Sequence, residues 1–128
     1  VWFARMSNTD KVLCFTEKTN NDLIISSGFA GFKAEEKELL PFLFCTINND
    51  VFSKLKDSYA TGATQVSINN KSLNSIRLIE PDVEIMKNFG NKLYPTIELI
   101  NKLFENNQKL KAARDILLPR LMNRTIEA

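Results

Sequence analysis

A chain of 128 residues with 44% apolar and 25% charged residues has room for one compact unit and is too apolar to stay disordered. It contains no histidine, which removes the commonest general base, the usual zinc ligand and every Ser-His or Cys-His dyad. The formal net charge of +2 is too small to argue for nucleic acid by itself, and the best apolar run, residues 39–47, is too short to cross a bilayer and is broken by Pro41 and Thr46.

Residues 1–4, Val1-Trp2-Phe3-Ala4, and residues 12–15 are apolar and β-prone, with polar Ser7-Asn8-Thr9-Asp10 between them. That pattern predicts a hairpin with a loop longer than two residues. A sequence that opens on Val1 inside a strand-like run reads as a fragment or a processed product, with part of the domain expected upstream. Residues 23–26 and 29–33 are further strand candidates, with Gly28 and Gly31 marking a bend or bulge. Residues 35–59 then carry Leu39, Leu40, Leu43, Phe44, Ile47, Val51, Phe52 and Leu55 at helical spacing. Asn48-Asn49-Asp50 divides that stretch into two short helices, the second capped by Asp50.

Thr61-Gly62-Ala63-Thr64-Gln65 is a polar loop leading into a strand at residues 66–68. Asn69 to Leu73 reads as a turn or a single helical turn. Residues 76–79 form the last predicted strand, closed by Glu80-Pro81-Asp82, and Asp82 is placed to cap a long helix. The fold expected is α+β: a small twisted sheet with short helices, then a long coiled-coil-like C-terminal helix. The division falls at residues 1–81 and 82–128.

The helical pattern from residue 83 to 118 contains Gly90 and Pro95, and the proline predicts a kink or break near Tyr94. Beyond it Leu93, Ile100, Asn107, Arg114 and Leu121 share one heptad position, and Thr96, Leu103, Leu110 and Leu117 the other. A helix that serves its own globule usually shows a wider apolar stripe than this seam. The seam therefore predicts contact with a second helix outside the chain through Ile100, Leu103, Asn107, Leu110, Arg114 and Leu117, and a homodimer through this helix is one form of that contact.

Other groups are weaker candidates. The loop at residues 62–65 has no Gly-Lys-Thr motif and does not read as a nucleotide site. Thr64 and Gln65 have side chains suited to phosphates and base edges, and Arg5 and Lys11 flank the first hairpin loop. Lys54, Lys56, Lys71 and Arg77 are scattered. Glu35, Glu36 and Glu38 read as a solvated helix start. Cys14 and Cys45 lie singly in apolar stretches, as reduced buried thiols of a cytoplasmic protein do.

Three stretches, in this order, resemble the specificity subunit of type I restriction-modification enzymes. Val1-Trp2-Phe3-Ala4-Arg5-Met6 through Lys11-Val12 is similar to a hairpin of its target-recognition domains. Thr61-Gly62-Ala63-Thr64-Gln65 with Ile68, Leu73 and residues 76–81 is similar to the end of such a domain. Asn106-Asn107, Leu110, Arg114-Asp115 and Leu117-Leu118-Pro119-Arg120-Leu121-Met122 are similar to its conserved helix and exit. The chain departs from that pattern at Asn123-Arg124, where the family often has a small residue and glycine.

The resemblance implies a bacterial DNA-recognition part that reads one half of a split duplex target and needs no cofactor of its own. Methyltransferase and restriction subunits would be its partners and would supply the chemistry, and the chain carries no Asn-Pro-Pro-Tyr or Asp-Pro-Pro-Tyr motif. Arg5, Lys11, Thr64, Gln65, Asn69 and Lys71 are then the candidate DNA contacts. Two alternatives remain at this point: a recognition domain of a fused restriction-methylation enzyme, and a protein-interaction module that dimerises through its helix without a DNA role.

Overall fold

The computed structural model describes residues 1–16 and 24–123. Three short strands form an antiparallel sheet in the order β2-β1-β3, with β1 (Trp2–Ala4) between β2 (Val12–Leu13) and β3 (Phe29–Gly31). Phe3 pairs with Val12 on one side and Ala30 on the other. Alternation along β1 sends Phe3 into the core and Trp2 to the opposite face. Phe3 stacks on Phe32 at 5.8 Å and meets Phe52 edge-on at 5.2 Å. Around it lie Ile47, Ile68, Leu73 and Ile97, one residue from nearly every later element. Trp2 lies across Gly31, where a Cβ would come within 2.8 Å of the indole. Gly31 is thus a close approach within β3, not a bulge.

A 3-10 turn at Lys37–Leu39 leads into α1 (Leu40–Ile47), whose proline sits in the first turn, where its missing N–H costs nothing. Helix α2 spans Asp50–Ser58. Its cap is Asn49, one residue before the expected Asp50: the Asn49 side chain accepts from Phe52 N–H at 3.0 Å. Asp50 already lies in the first turn, where its charge favours the helix dipole. The single helical turn α3 (Asn70–Leu73) follows, capped by Asn69, which accepts from Ser72 N–H at 2.8 Å.

Two predicted strands are absent. Of residues 66–68 only Ser67 makes strand-like bridges, to Met6 and Thr61. Residues 76–79 run as an extended connection with Leu78 and Ile79 exposed. Residues 76–79 pair with no strand among the described residues, and β-propensity expresses itself only against a partner. The candidate at residues 23–26 falls partly outside the described residues, and its described part, 24–26, carries no strand.

Helix α4 covers Val83–Met122, 40 residues and about 60 Å at ~1.5 Å per residue. Asp82 caps it as expected, accepting from Glu84 N–H at 2.8 Å. The helix runs unbroken through Pro95 and Pro119, so of the kink or break expected near Tyr94 the break does not occur. Packing on both sides overrides the proline: Met86 and Gly90 before it and Ile97 after it are buried, while Pro95 and Asn91 sit at exposed positions. Gly90 allows this seating, because a Cβ there would run into the backbone carbonyl of Glu38. The ion pair of Lys87 with Glu36, at 2.6 Å, lies beside the same crossing.

Candidate nucleic-acid interface

The end of β1 brings two distant loops together. Arg5, Met6 and Ser7 run antiparallel to residues 66–68: Ser7 N–H donates to Val66 O at 2.9 Å and Ile68 N–H to Arg5 O at 3.0 Å. The β1–β2 loop and the loop after α2 thereby lie side by side. The second loop is closed by a reciprocal pair, Thr61 N–H to Ser67 O at 3.0 Å and Ser67 N–H to Thr61 O at 3.1 Å. Gly62 starts its turn at φ 136°, a region closed to other residues without strain, and a Cβ there would meet the Gln65 carbonyl. The loop doubles back tightly, leaving Ala63, Thr64, Gln65 and Val66 exposed.

Arg5 secures this junction from beneath. Its Nε donates to Phe29 O at 3.1 Å, Nη1 to Ile68 O at 3.2 Å and Nη2 to Asn70 Oδ1 at 2.6 Å. One guanidinium therefore ties β3, the end of the second loop and α3 together, a use of the planar fork that lysine could not reproduce. Lys11 is exposed on the neighbouring strand connection, its ammonium 5.8 Å from the centre of the Phe29 ring. Lys71 is exposed on α3, and Asn69 beside it spends its side-chain oxygen on the cap.

Of the residues singled out from sequence, Lys11, Thr64, Gln65, Asn69 and Lys71 are exposed around this edge, Asn69 with its side-chain oxygen on the α3 cap, while half-buried Arg5 directs its guanidinium inward to hold it. Lys56, one of the scattered basic residues in the sequence, is 3% exposed and bonds to the first loop. Its spacing of four from Phe52 was the available signal, since that places both on one face of a helix. Among the described residues no group of three acidic or thiol side chains is arranged to hold a metal. Glu36 instead pairs with Lys87, and Glu38 faces Lys37 at 3.9 Å.

On α4 the seam residues Ile100, Leu103, Leu110 and Leu117 are 45–67% exposed, and Asn107 and Arg114 are exposed with them. At about 100° per residue this stripe lies roughly a third of a turn from the stripe of Met86, Gly90 and Ile97 that faces the globule. Ile85 and Phe89 extend the outer stripe toward the start of the helix. Arg114 turns its guanidinium onto Asp115 at 2.7 Å.

The sequence is similar to that of a type I restriction enzyme specificity subunit. That protein, the HindI specificity subunit of Haemophilus influenzae, is 29% identical over 90 residues, which cover 70% of this chain and 20% of the relative. The chain thus spans about one fifth of the length of the curated relative it matches. No known family profile and no solved structure matches the chain. Among the described residues no helix is long and apolar enough to cross a membrane. Cys14 and Cys45 are unpaired thiols. Burial pushes the Cys14 thiol up to about 11 and raises that of Cys45, so neither is primed as a nucleophile at neutral pH.

Proposed function

We propose that the chain is the later part of a DNA target-recognition domain, residues 1–81, with the spacer helix and tail that follow it, residues 82–128, in a bacterial, cytoplasmic type I restriction-modification complex. The observation that carries this reading is the junction of residues 5–7 with 66–68. It sets the two loops named from sequence on one edge, in a chain similar to a specificity subunit. Binding residues are disproportionately carried on loops positioned by a rigid scaffold. Lys11 and Lys71 hold phosphates of duplex DNA, and Thr64 and Gln65 approach base edges, where glutamine suits adenine. Arg5 supports these contacts from inside, and Asn69, exposed beside Lys71, does so through its cap on α3.

The chain performs no chemistry in this account. It directs methyltransferase and restriction subunits, which modify and cut, to one half of a split target. Helix α4 serves the assembly: its outer stripe of Ile100, Leu103, Leu110 and Leu117 docks a second helix, from another subunit or another copy, with Asn107 and Arg114 fixing register. A module that dimerises through this stripe without touching DNA is the second reading, favoured by the exposure of the same residues.

The experiment compares Lys11→Ala and Gln65→Ala in the complex purified with its own subunits, on matched and mismatched duplexes. Loss of a phosphate contact weakens binding to every sequence and lowers the salt slope by about one. Loss of a base contact relaxes preference at one position, by ~1–3 kcal/mol. Unchanged affinity and preference in both variants would remove these loops from the interface.

A further inference from the structure

Three side chains on one face of α2 each hold a different part of the β1–β2 loop. Ser53, Lys56 and Asp57 stand at spacings of three and four, hence close together on the helix surface. The Ser53 hydroxyl donates to the Asp10 carboxylate. The Lys56 ammonium donates to Met6 O at 3.2 Å and Thr9 O at 2.8 Å. The Asp57 carboxylate accepts from Asn8 N–H, at 3.3 Å to each oxygen, and lies 3.7 Å from the Lys56 ammonium. Asn8 itself has φ 56°, the left-handed conformation that asparagine tolerates in turns better than most non-glycine residues.

Packing does not explain a charge at this position. An ammonium 3% exposed carries a desolvation cost that a methionine of similar size would avoid. What Lys56 supplies, and an apolar side chain cannot, is a pair of donors for two loop carbonyls on either side of the Ser7-Asn8 turn. A small cavity of about 90 Å³ lies between the loop and α2, lined in part by Thr9, Lys11, Asn49 and Lys56. The loop is held at this distance by polar bonds, not by filling the space.

We propose that Ser53, Lys56 and Asp57 form a positioning clamp for DNA reading, with Lys56 at its centre. The clamp fixes the loop that ends in Lys11 beside the loop that carries Thr64 and Gln65, so that both edges reach the duplex without reordering. Lys56 touches no DNA and acts through the loop. The proposal rests on the recognition reading above. A released loop would have to be ordered on binding, and fixing one residue's backbone costs on the order of a tenfold loss of affinity.

The test uses the protein purified with its own subunits and a duplex selected by it from a randomised library, with a scrambled duplex of equal length as reference. Lys56→Met is the main variant. Asp57→Asn, at a partly exposed site, keeps the test decisive if the first fails to fold. Both should speed amide exchange at Asn8, whose N–H is held by Asp57, while the β1 amide of Ala4 stays protected. Lys56→Met should reduce affinity for the selected duplex about tenfold, lower its ratio over the scrambled one, and leave the salt slope unchanged. A salt slope lower by about one would make Lys56 a phosphate contact and overturn the clamp. So would faster loop exchange with an unchanged ratio, or unchanged exchange. If the wild type selects no sequence, the recognition reading falls and the clamp's role with it. If selection responds to Gln65→Ala but not to Lys56→Met or Asp57→Asn, the clamp alone is wrong.

Discussion

Replacing Gly90 by alanine should destabilise the protein, although the general rule for helix interiors has the opposite sign. In an exposed helix, alanine gains about 1 kcal/mol over glycine. At Gly90 the added methyl would meet the Glu38 backbone, its carbonyl carbon at 2.7 Å and its oxygen nearer still. A backbone neighbour cannot swing aside as the end of a side chain can, so α4 or the 3-10 turn must shift. Overpacking of this kind costs typically ~1–3 kcal/mol, occasionally more, so the expected net is a loss of about 1–2 kcal/mol. That corresponds to a fall in Tm on the order of 4–8 °C for a domain of this size. The control is Asn106→Ala, at an exposed position of the same helix, which should be neutral or stabilising by up to about half a kcal/mol. Thermal and urea unfolding of both variants measure the difference. The seating matters because it fixes which face of α4 points outward. A Gly90→Ala variant stabilised as much as Asn106→Ala would mean that α4 does not rest on the Glu38 backbone, and the outward direction of the seam would lose its basis.

The outer stripe of α4 should govern association. Burying each of Leu103 and Leu110 is worth roughly 1.5–3 kcal/mol, so replacing both by aspartate should weaken self-association, or docking to another subunit, by at least about a hundredfold in sedimentation equilibrium or co-purification. A wild type that is monomeric at high concentration and binds no subunit through this helix would refute that role. Stability should also fall at alkaline pH. The Cys14 thiol is raised from its ordinary value of 9.0 to about 11, chiefly by burial. The neutral form is therefore favoured in the folded state, and this contribution is complete below pH 9, is lost as pH rises through the window from 9 to about 11, and is constant above it. Urea midpoints across that window should fall more steeply for the wild type than for Cys14→Ala, and parallel curves would contradict the assignment.

The parts of the fold legible in the sequence are those set by local chemistry. The apolar, β-prone run of Val1 to Ala4, the Asp82 cap and the seven-residue spacing of Leu103, Leu110 and Leu117 each follow from composition, period or capping alone. The parts that were not legible depend on distant neighbours. Residues 76–79 have strand composition but pair with no strand among the described residues, which no local pattern reveals. Pro95 signalled a break, yet buried Met86, Gly90 and Ile97 hold the helix together across it. The candidate edge divides in the same way. Exposed Lys11, Thr64, Gln65 and Lys71 are polar residues in turn-rich sequence and announce themselves. Arg5 and Lys56 look like surface charge until the fold brings around them the carbonyls of Phe29, Ile68, Met6 and Thr9, which lie 24 to 63 positions away in sequence.

Sequence recognition is tested most directly by offering the protein, with its own subunits, a randomised duplex library and sequencing what it retains. The account predicts an enriched motif in the wild type. Gln65→Ala should lose preference at one position of that motif, while Lys11→Ala should keep the motif and bind all of it more weakly. A wild type that enriches no sequence, or a motif untouched by Gln65→Ala and Thr64→Ala together, would contradict the claim that this edge reads DNA.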